Sequence, residues 1–337
     1  MGGTKRIGQR TIQFADPPSV VATASIVGPK EGEGPLADSF DKIIQDTYYG
    51  EKSWEKAETK MLAEAVNMSI KKAGLTPGDV DYLFAGDLLN QTISANYAAR
   101  QLSMPFFGLY GACSTMYEGI TLAAILIDGG YADRVAAATS SHHDTAERQY
   151  RYPTELGTQR PMTAQWTVTG AGAILLGKSG PGPKITHATV GKVIDQGVKD
   201  PSDMGSAMAP AATDTIITHL QDTGRSPDYY DLIVTGDLAH IGKALTEQLA
   251  QQQNIDLSNN YTDCGVLIYD PSQDVHAGGS GCACSAVVTC SYLLEEMIAG
   301  KYKRILGLGT GALMSPLSSQ QGESIPGIGH AVVFEMM

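Results

Sequence analysis

The residues best placed for chemistry are Gly111-Ala112-Cys113-Ser114-Thr115, a cysteine in an elbow of small side chains. A short apolar stretch, Pro105 to Tyr110, precedes it, and a run that reads as a buried helix, Met116 to Asp128, follows. A thiol at such a strand-to-helix junction sits beside free backbone N–H groups and the positive end of a helix dipole, which both favour the thiolate. The chemistry this suggests is nucleophilic catalysis, provided that a base and oxyanion donors stand nearby. The alternatives are a ligand contact or a small packed residue at a tight turn, because free cysteine is commonly buried.

Other residues invite chemical readings. Cys264, Cys282, Cys284 and Cys290 suggest a metal set, but Cys-x-Cys with a further cysteine at helical spacing and no paired histidines is poor zinc geometry, so core packing is expected. His142-His143-Asp144 follows a strand, where ligand sites gather in α/β folds; adjacent side chains diverge, so at most one histidine should face a pocket. Glu147 to Arg160 holds Arg148, Arg151 and Arg160 with Gln149, Tyr150 and Tyr152, which suits a carboxylate-bearing aromatic ligand, a subunit interface or a solvated loop. Gly307-x-Gly309-x-Gly311 reads as close backbone packing rather than a phosphate loop.

The elements that must position these residues come in two similar sets. Asp81 to Leu88 matches Asp231 to Leu238, and Gly111-Ala112-Cys113-Ser114-Thr115 lies over Gly281-Cys282-Ala283-Cys284-Ser285. Gly130 with Arg134-Val135 lies over Gly300 with Arg304-Ile305, and Gly170-Ala171-Gly172 over Gly327-Ile328-Gly329. The order is kept throughout, which argues for duplication; chance likeness between α/β units is the alternative. Leu83 to Ala85, Val135 to Ala138, Ile233 to Thr235 and Ile305 to Leu308 read as buried strands. Trp54 to Ala73, Ala244 to Gln253 and Ala286 to Ala299 read as helices, the first stopped by Gly74 and Pro77. The expected architecture is an α/β layered sandwich of two halves, 1–178 and 184–337, joined by a Gly/Pro linker at 179–183.

With 337 residues and 42% hydrophobic content, the chain can bury a large core. A net charge of -12 argues against nucleic acid as a partner. Five cysteines are too few for a disulfide framework. Met1-Gly2-Gly3-Thr4-Lys5-Arg6 leads into no apolar run, and Ile120 to Ile127 is too short to span a bilayer, so a soluble chain without signal peptide or transmembrane helix is expected.

A duplicated α/β chain with Ala-Cys-Ser opening a buried helix resembles the thiolase superfamily, and its ketoacyl-synthase branch in particular. The resemblance spans nearly the whole chain and includes Gly170-Ala171-Gly172-Ala173, Gly307 to Ala312 and Gly327-Ile328-Gly329-His330-Ala331. Ser140-Ser141-His142-His143, Ala146 to Pro153 and Gln165 to Gly172 are similar to one family within it, the stage V sporulation protein AD family of spore-forming bacteria. That resemblance implies the thiolase-like αβαβα sandwich. It also implies binding of dipicolinic acid (pyridine-2,6-dicarboxylate), and a peripheral place on the spore inner membrane with membrane-embedded SpoVA subunits as partners. Homodimerisation follows by superfamily analogy.

In the synthases, a histidine and an asparagine, or two histidines, from the second half assist the cysteine. The first position falls here on Gly236 or Asp237, with His240 a few residues late, and the second in Ala277 to Gly281, which has neither imidazole nor amide side chain. Asp237 as a base would be self-defeating, since an anion beside Cys113 raises the thiol pKa. The expectation is therefore a non-catalytic binder of dipicolinate in the cleft between the halves, with Cys113 a vestigial nucleophile. Its walls are expected to include Cys113, Ser114, His142, Arg148, Asp237, His240, Gly279, Ser280 and Thr310. No resident metal is expected; calcium would come only within the ligand's chelate, its shell completed by Asp237 or water. The alternatives are a condensing enzyme using Cys113 and a purely structural subunit.

Overall fold

A computed structural model describes residues 5–150 and 160–337. In chain order the principal strands of the first half are β1 (Ser19–Val27), β2 (Tyr82–Gly86), β3 (Phe106–Gly108), β4 (Arg134–Ser141) and β5 (Gly170–Gly177). Those of the second are β6 (Lys184–Thr189), β7 (Leu232–Thr235), β8 (Tyr261–Asp263), β9 (Arg304–Ala312) and β10 (Gly327–Glu335). They line up as β8-β7-β9-β10-β6-β1-β5-β4-β2-β3. Read outward from the centre, each half runs first strand, fifth, fourth, second, third. The pairing senses repeat as well: the first two contacts in each half are antiparallel and the last two parallel. The halves meet where Lys184 pairs with Ser19.

Seven helices serve the argument: α1 (Trp54–Lys72), α2 (Ile93–Leu102), α3 (Thr115–Asp128), α4 (His143–Tyr150), α5 (Met204–Thr223), α6 (Ala239–Gln252) and α7 (Cys282–Val288). The last runs on through a π turn, Thr289–Leu293. Strand residues alternate between faces, and the apolar clusters follow that alternation. Leu83, Ala85, Ala136 and Ala138 pack with Met61, Leu62 and Val66 of α1 and Ala95 and Ala98 of α2. Their neighbours Phe84, Val135 and Ala137 turn the other way, onto Met116 and Ile120 of α3, in a cluster that also takes Ala283 and Val287 of α7 and Val234, Ile305 and Val332 from the second half. Ile233, Leu306, Leu308 and Val333 face Met208, Ile216 and Leu220 of α5. Helix, sheet, helix, sheet and helix thus stack in five layers, with α3 and α7 in the middle one.

Two helices begin earlier than the sequence suggests. α6 opens at Ala239 rather than Ala244, because the Asp263 carboxylate accepts from the N–H groups of Leu238 (2.9 Å) and Ala239 (2.8 Å). α7 opens at Cys282 rather than Ala286, and Ser141 Oγ of β4 accepts from Ala283 N at 3.1 Å. In both cases a side chain distant in sequence satisfies first-turn donors. Among the described residues no helix is long and apolar enough to cross a membrane.

Candidate functional site

The elbow closes on its own small side chains. Ser114 Oγ donates to Gly111 O at 2.7 Å, Thr115 Oγ1 donates to Ala112 O at 2.6 Å, and Gly111 N donates to Thr115 Oγ1 at 2.9 Å. Ala112 is held at φ +49°, a left-handed conformation that costs an L-residue about 1 kcal/mol. Glycines of β9 allow the close approach of α3: a Cβ on Gly307 would lie 2.4 Å from the Tyr117 hydroxyl, and one on Gly311 would lie 2.4 Å from Gly111 O. This is the packing role expected of the Gly307-x-Gly309-x-Gly311 run.

Behind the cysteine stands Asp237, which is 1% exposed. Its Oδ1 accepts from Thr310 Oγ1 at 2.7 Å, and its Oδ2 from Ser280 Oγ at 3.0 Å and Gly281 N at 3.1 Å. The Cys113 thiol lies within electrostatic reach of the same carboxylate. Burial pushes the Asp237 carboxyl above its ordinary value, and these donors offset only part of that rise. Burial also pushes the Cys113 thiol well above its ordinary value, and the Asp237 charge pushes it further. The helix-dipole advantage of the elbow is therefore outweighed, and the thiol is held protonated. Cys282 lies close by and donates its own thiol to Ala112 O at 3.0 Å.

Cys113 and Ser280 line a cavity of about 40 Å³, room for about three water molecules. Leu88, Met204 and Met314 supply apolar wall. Tyr110 and Tyr150 form the rim, their hydroxyls 3.0 Å apart, and Tyr150 OH donates to Leu88 O at 2.5 Å. Glu147 contributes the acidic side chain of the wall, and among the described residues neither lysine nor arginine lines it.

The other residues expected in the walls lie elsewhere. Thr310 is fully buried and holds Asp237 from behind. Ser114 is spent on the elbow. Gly279 pairs with Trp166 in a two-stranded ladder and packs against Gly265 and Ile268. His142 is fully buried but turned away, its Nε2 2.8 Å from Thr47 O, and burial lowers its pKa. His143 stacks flat on Trp166, 3.7 Å between ring centroids. His240 is exposed on the first turn of α6, because that helix starts a turn sooner than the sequence suggests. Arg148 pairs with Glu55 and lies over Trp54, on the side of α4 opposite to the cavity. Arg151 and Tyr152 lie outside the described residues. Cys264, Cys282, Cys284 and Cys290 are buried and free, and among the described residues no three His, Cys, Asp or Glu side chains are grouped to hold a metal ion.

Sequence reasoning missed Tyr110, Leu88, Met204 and Met314 as wall residues. The signal for Tyr110 was its place three residues before the cysteine. Leu88 ends the segment that repeats as Leu238, so its position was visible although its role was not. Nothing local marks the two methionines, which reach the cavity from the second half.

The fold has solved relatives at low sequence identity. 3-Oxoacyl-[acyl-carrier-protein] synthase III from Aquifex aeolicus VF5 superposes with a TM-score of 0.55 at 14% identity, covering 95% of this chain and 100% of that one. A single-residue variant of OleA from Xanthomonas campestris gives 0.60 at 16% identity, covering 99% of each chain. The architecture is accordingly the thiolase-like layered α/β fold. Stage V sporulation protein AD of Bacillus subtilis (strain 168) is 50% identical over 331 residues, 98% of each chain. The family model of stage V sporulation protein AD matches residues 8–335. With that match running from end to end of the described fold, the chain belongs to the stage V sporulation protein AD family.

Proposed function

We propose that this protein is a non-catalytic binder of dipicolinate, taken as its calcium chelate, in the Cys113 cavity. The observation that carries the non-catalytic part is Asp237, a buried carboxyl group that raises the Cys113 thiol where a condensing enzyme needs a base or an oxyanion donor. No imidazole lines the cavity among the described residues. The wall composition favours the chelate over the free dianion. A dianion would lose its hydration with no cationic side chain among the described residues to replace it. The one-to-one calcium chelate is neutral. Its flat ring suits the Tyr110–Tyr150 rim, and its calcium has open positions that Glu147, Ser280 or water can fill.

The protein would act beside membrane-embedded sporulation subunits, since a binder has no conduit of its own, and would lie peripherally on the spore inner membrane. It would also self-associate through β3, the edge strand, where Phe107 is 53% exposed. Phe107→Lys should then shift the mass measured by light scattering towards the monomer, and an unchanged mass refutes this edge as the contact.

Calorimetry tests the central reading. Dipicolinate with calcium should bind saturably, whereas dipicolinate with a calcium chelator and pyridine-2-carboxylate with calcium should not. Binding should persist in Cys113→Ala. The competing reading, a condensing enzyme, is favoured by the placement of Cys113 at the start of α3 on a cavity wall. Acyl transfer from an acyl-CoA to Cys113, seen by mass spectrometry of the intact protein, would establish that reading instead. No heat with any ligand and no acylation would leave a structural subunit.

A further inference from the structure

We propose that Tyr150 couples occupancy of the Cys113 cavity to the strained turn Leu88–Thr92 and, through it, to α2. The coupling to ligand rests on the binding reading above; the latch itself does not.

α4 lies between two openings. Ala146, Glu147 and Tyr150 face the cavity, while Thr145, Arg148 and Gln149 line a surface groove of about 280 Å³ together with Leu89 and Asn90. Its last turn holds the chain segment that follows β2. Tyr150 OH and Gln149 Nε2 (3.1 Å) both donate to Leu88 O, and Gln149 Oε1 accepts from Asn90 N at 3.1 Å. The far side of the segment is tied to the buried Asp87 carboxylate, which accepts from Leu89 N at 2.8 Å and Ala95 N at 2.7 Å.

What is held between these anchors is strained. Gln91 and Thr92 are consecutive left-handed residues, at φ +56° and +49°, and the second is β-branched. Such a conformation persists only where the surroundings impose it. α2 begins at the next residue and carries Ile93 and Tyr97, exposed by 38% and 44%, beside the edge strand.

The latch and the cavity wall are the same side chain. Burial raises the pKa of both Tyr110 and Tyr150, so each keeps its single hydroxyl proton. Tyr150 gives its proton to Leu88 O, so the bond between the two phenols must be donated by Tyr110. A ligand carboxylate is a stronger acceptor than a peptide carbonyl and competes for the Tyr150 proton. An aromatic dicarboxylate entering the cavity passes the paired tyrosines that form its rim. Ligand thus withdraws the Tyr150 tie, leaves Leu88 O to Gln149 alone and frees the turn to relax. No chemistry is needed beyond this exchange of hydrogen bonds.

Hydrogen–deuterium exchange of the full chain, read by mass spectrometry, tests both parts. Tyr150→Phe keeps the ring and removes the tie, and should speed exchange of the amides of residues 89–95 at least tenfold while leaving α1 unchanged. Gln149→Ala, which removes the other two bonds, should do the same, so misfolding of one variant does not void the test. Wild-type exchange over 89–95 in both variants overturns the latch. Calcium with dipicolinate should loosen the same amides in the wild-type chain. If calorimetry shows binding and these amides do not respond, the coupling is overturned and the binding reading stands. If no ligand binds while both variants loosen, the binding reading falls and the latch stands.

Discussion

Replacing Asp237 by Asn removes one charge and little volume from the wall behind Cys113. In the wild-type protein the Asp237 charge is one of the causes that raise the thiol. Like charges near each other in a buried setting repel, so removing the one on Asp237 lowers the thiol's pKa. Burial, the larger cause of the raised thiol, stays in place. For each pK unit of that fall the thiolate fraction rises about tenfold while nucleophilicity drops, so reaction with a small thiosulfonate should quicken by about 3- to 4-fold per unit. The amide can still accept from Ser280 and Gly281, but it turns a donor towards Thr310, whose hydroxyl loses its acceptor. That should destabilise the fold by about 1–3 kcal/mol. The assay is methyl methanethiosulfonate labelling at pH 8, with Cys113 resolved from the other four cysteines by peptide mass spectrometry. Thr310→Val is the control, because it disturbs the same hydrogen bonds without removing the charge, and should leave the thiol slow. A folded Asp237→Asn protein labelled no faster than wild type would refute the claim that this carboxylate suppresses Cys113.

Further outcomes follow from packing and titration. Gly307→Ala places a methyl group 2.4 Å from the Tyr117 hydroxyl, itself bonded to Thr289, and overpacking of this kind should cost about 1–3 kcal/mol, read as a lower urea midpoint. A midpoint equal to wild type would mean that α3 gives way freely. Glu58 is fully buried between Ser140 and Thr145, and burial, aided by the nearby Asp87 charge, raises its pKa above 4.5. The folded state therefore holds this proton more tightly than the unfolded one. The stability so gained is full below about pH 4.5 and is lost as pH rises through the folded value, at no more than about 1.4 kcal/mol per pH unit. Glu58→Gln should flatten that decline in denaturant titrations run from pH 5 to pH 9, and an unchanged slope would assign it to other groups. Cys113→Ala removes one small buried group and should lower stability by about 1 kcal/mol or less; a larger loss in the urea midpoint would show that the thiol is structural.

The sequence made the fold legible where signals are periodic or repeated. Asp81 and Asp231 look alike because they do the same work: each carboxylate accepts from the N–H groups that open the neighbouring strand, Asp133 and Arg134 in one half, Lys303 and Arg304 in the other. Cys113 was found from its elbow, and Asp237 from the strand end where the resemblance to the synthases places a partner of the cysteine. Arg148 and His142 misled because a residue's type does not reveal which way a short helix turns it: α4 spends Arg148 on Glu55, while His142, just before it, bonds Thr47 O. His240 misled for a related reason, since the cap that starts α6 comes from Asp263, some twenty residues further along the chain.

The middle layer has a consequence for how the protein is made. Thr139 Oγ1 donates to Cys282 O at 3.0 Å, and Ser141 Oγ accepts from Ala283 N at 3.1 Å. These β4 groups are fully buried, and their partners are synthesised some 140 residues later. While the nascent chain waits for α7, the inner face of the first sheet and the flank of α3 remain uncovered. Translation therefore passes through a long interval in which apolar surface is open to water and to other chains. Full protection needs α7 and then β9 and β10, whose Ile305 and Val332 close the same cluster.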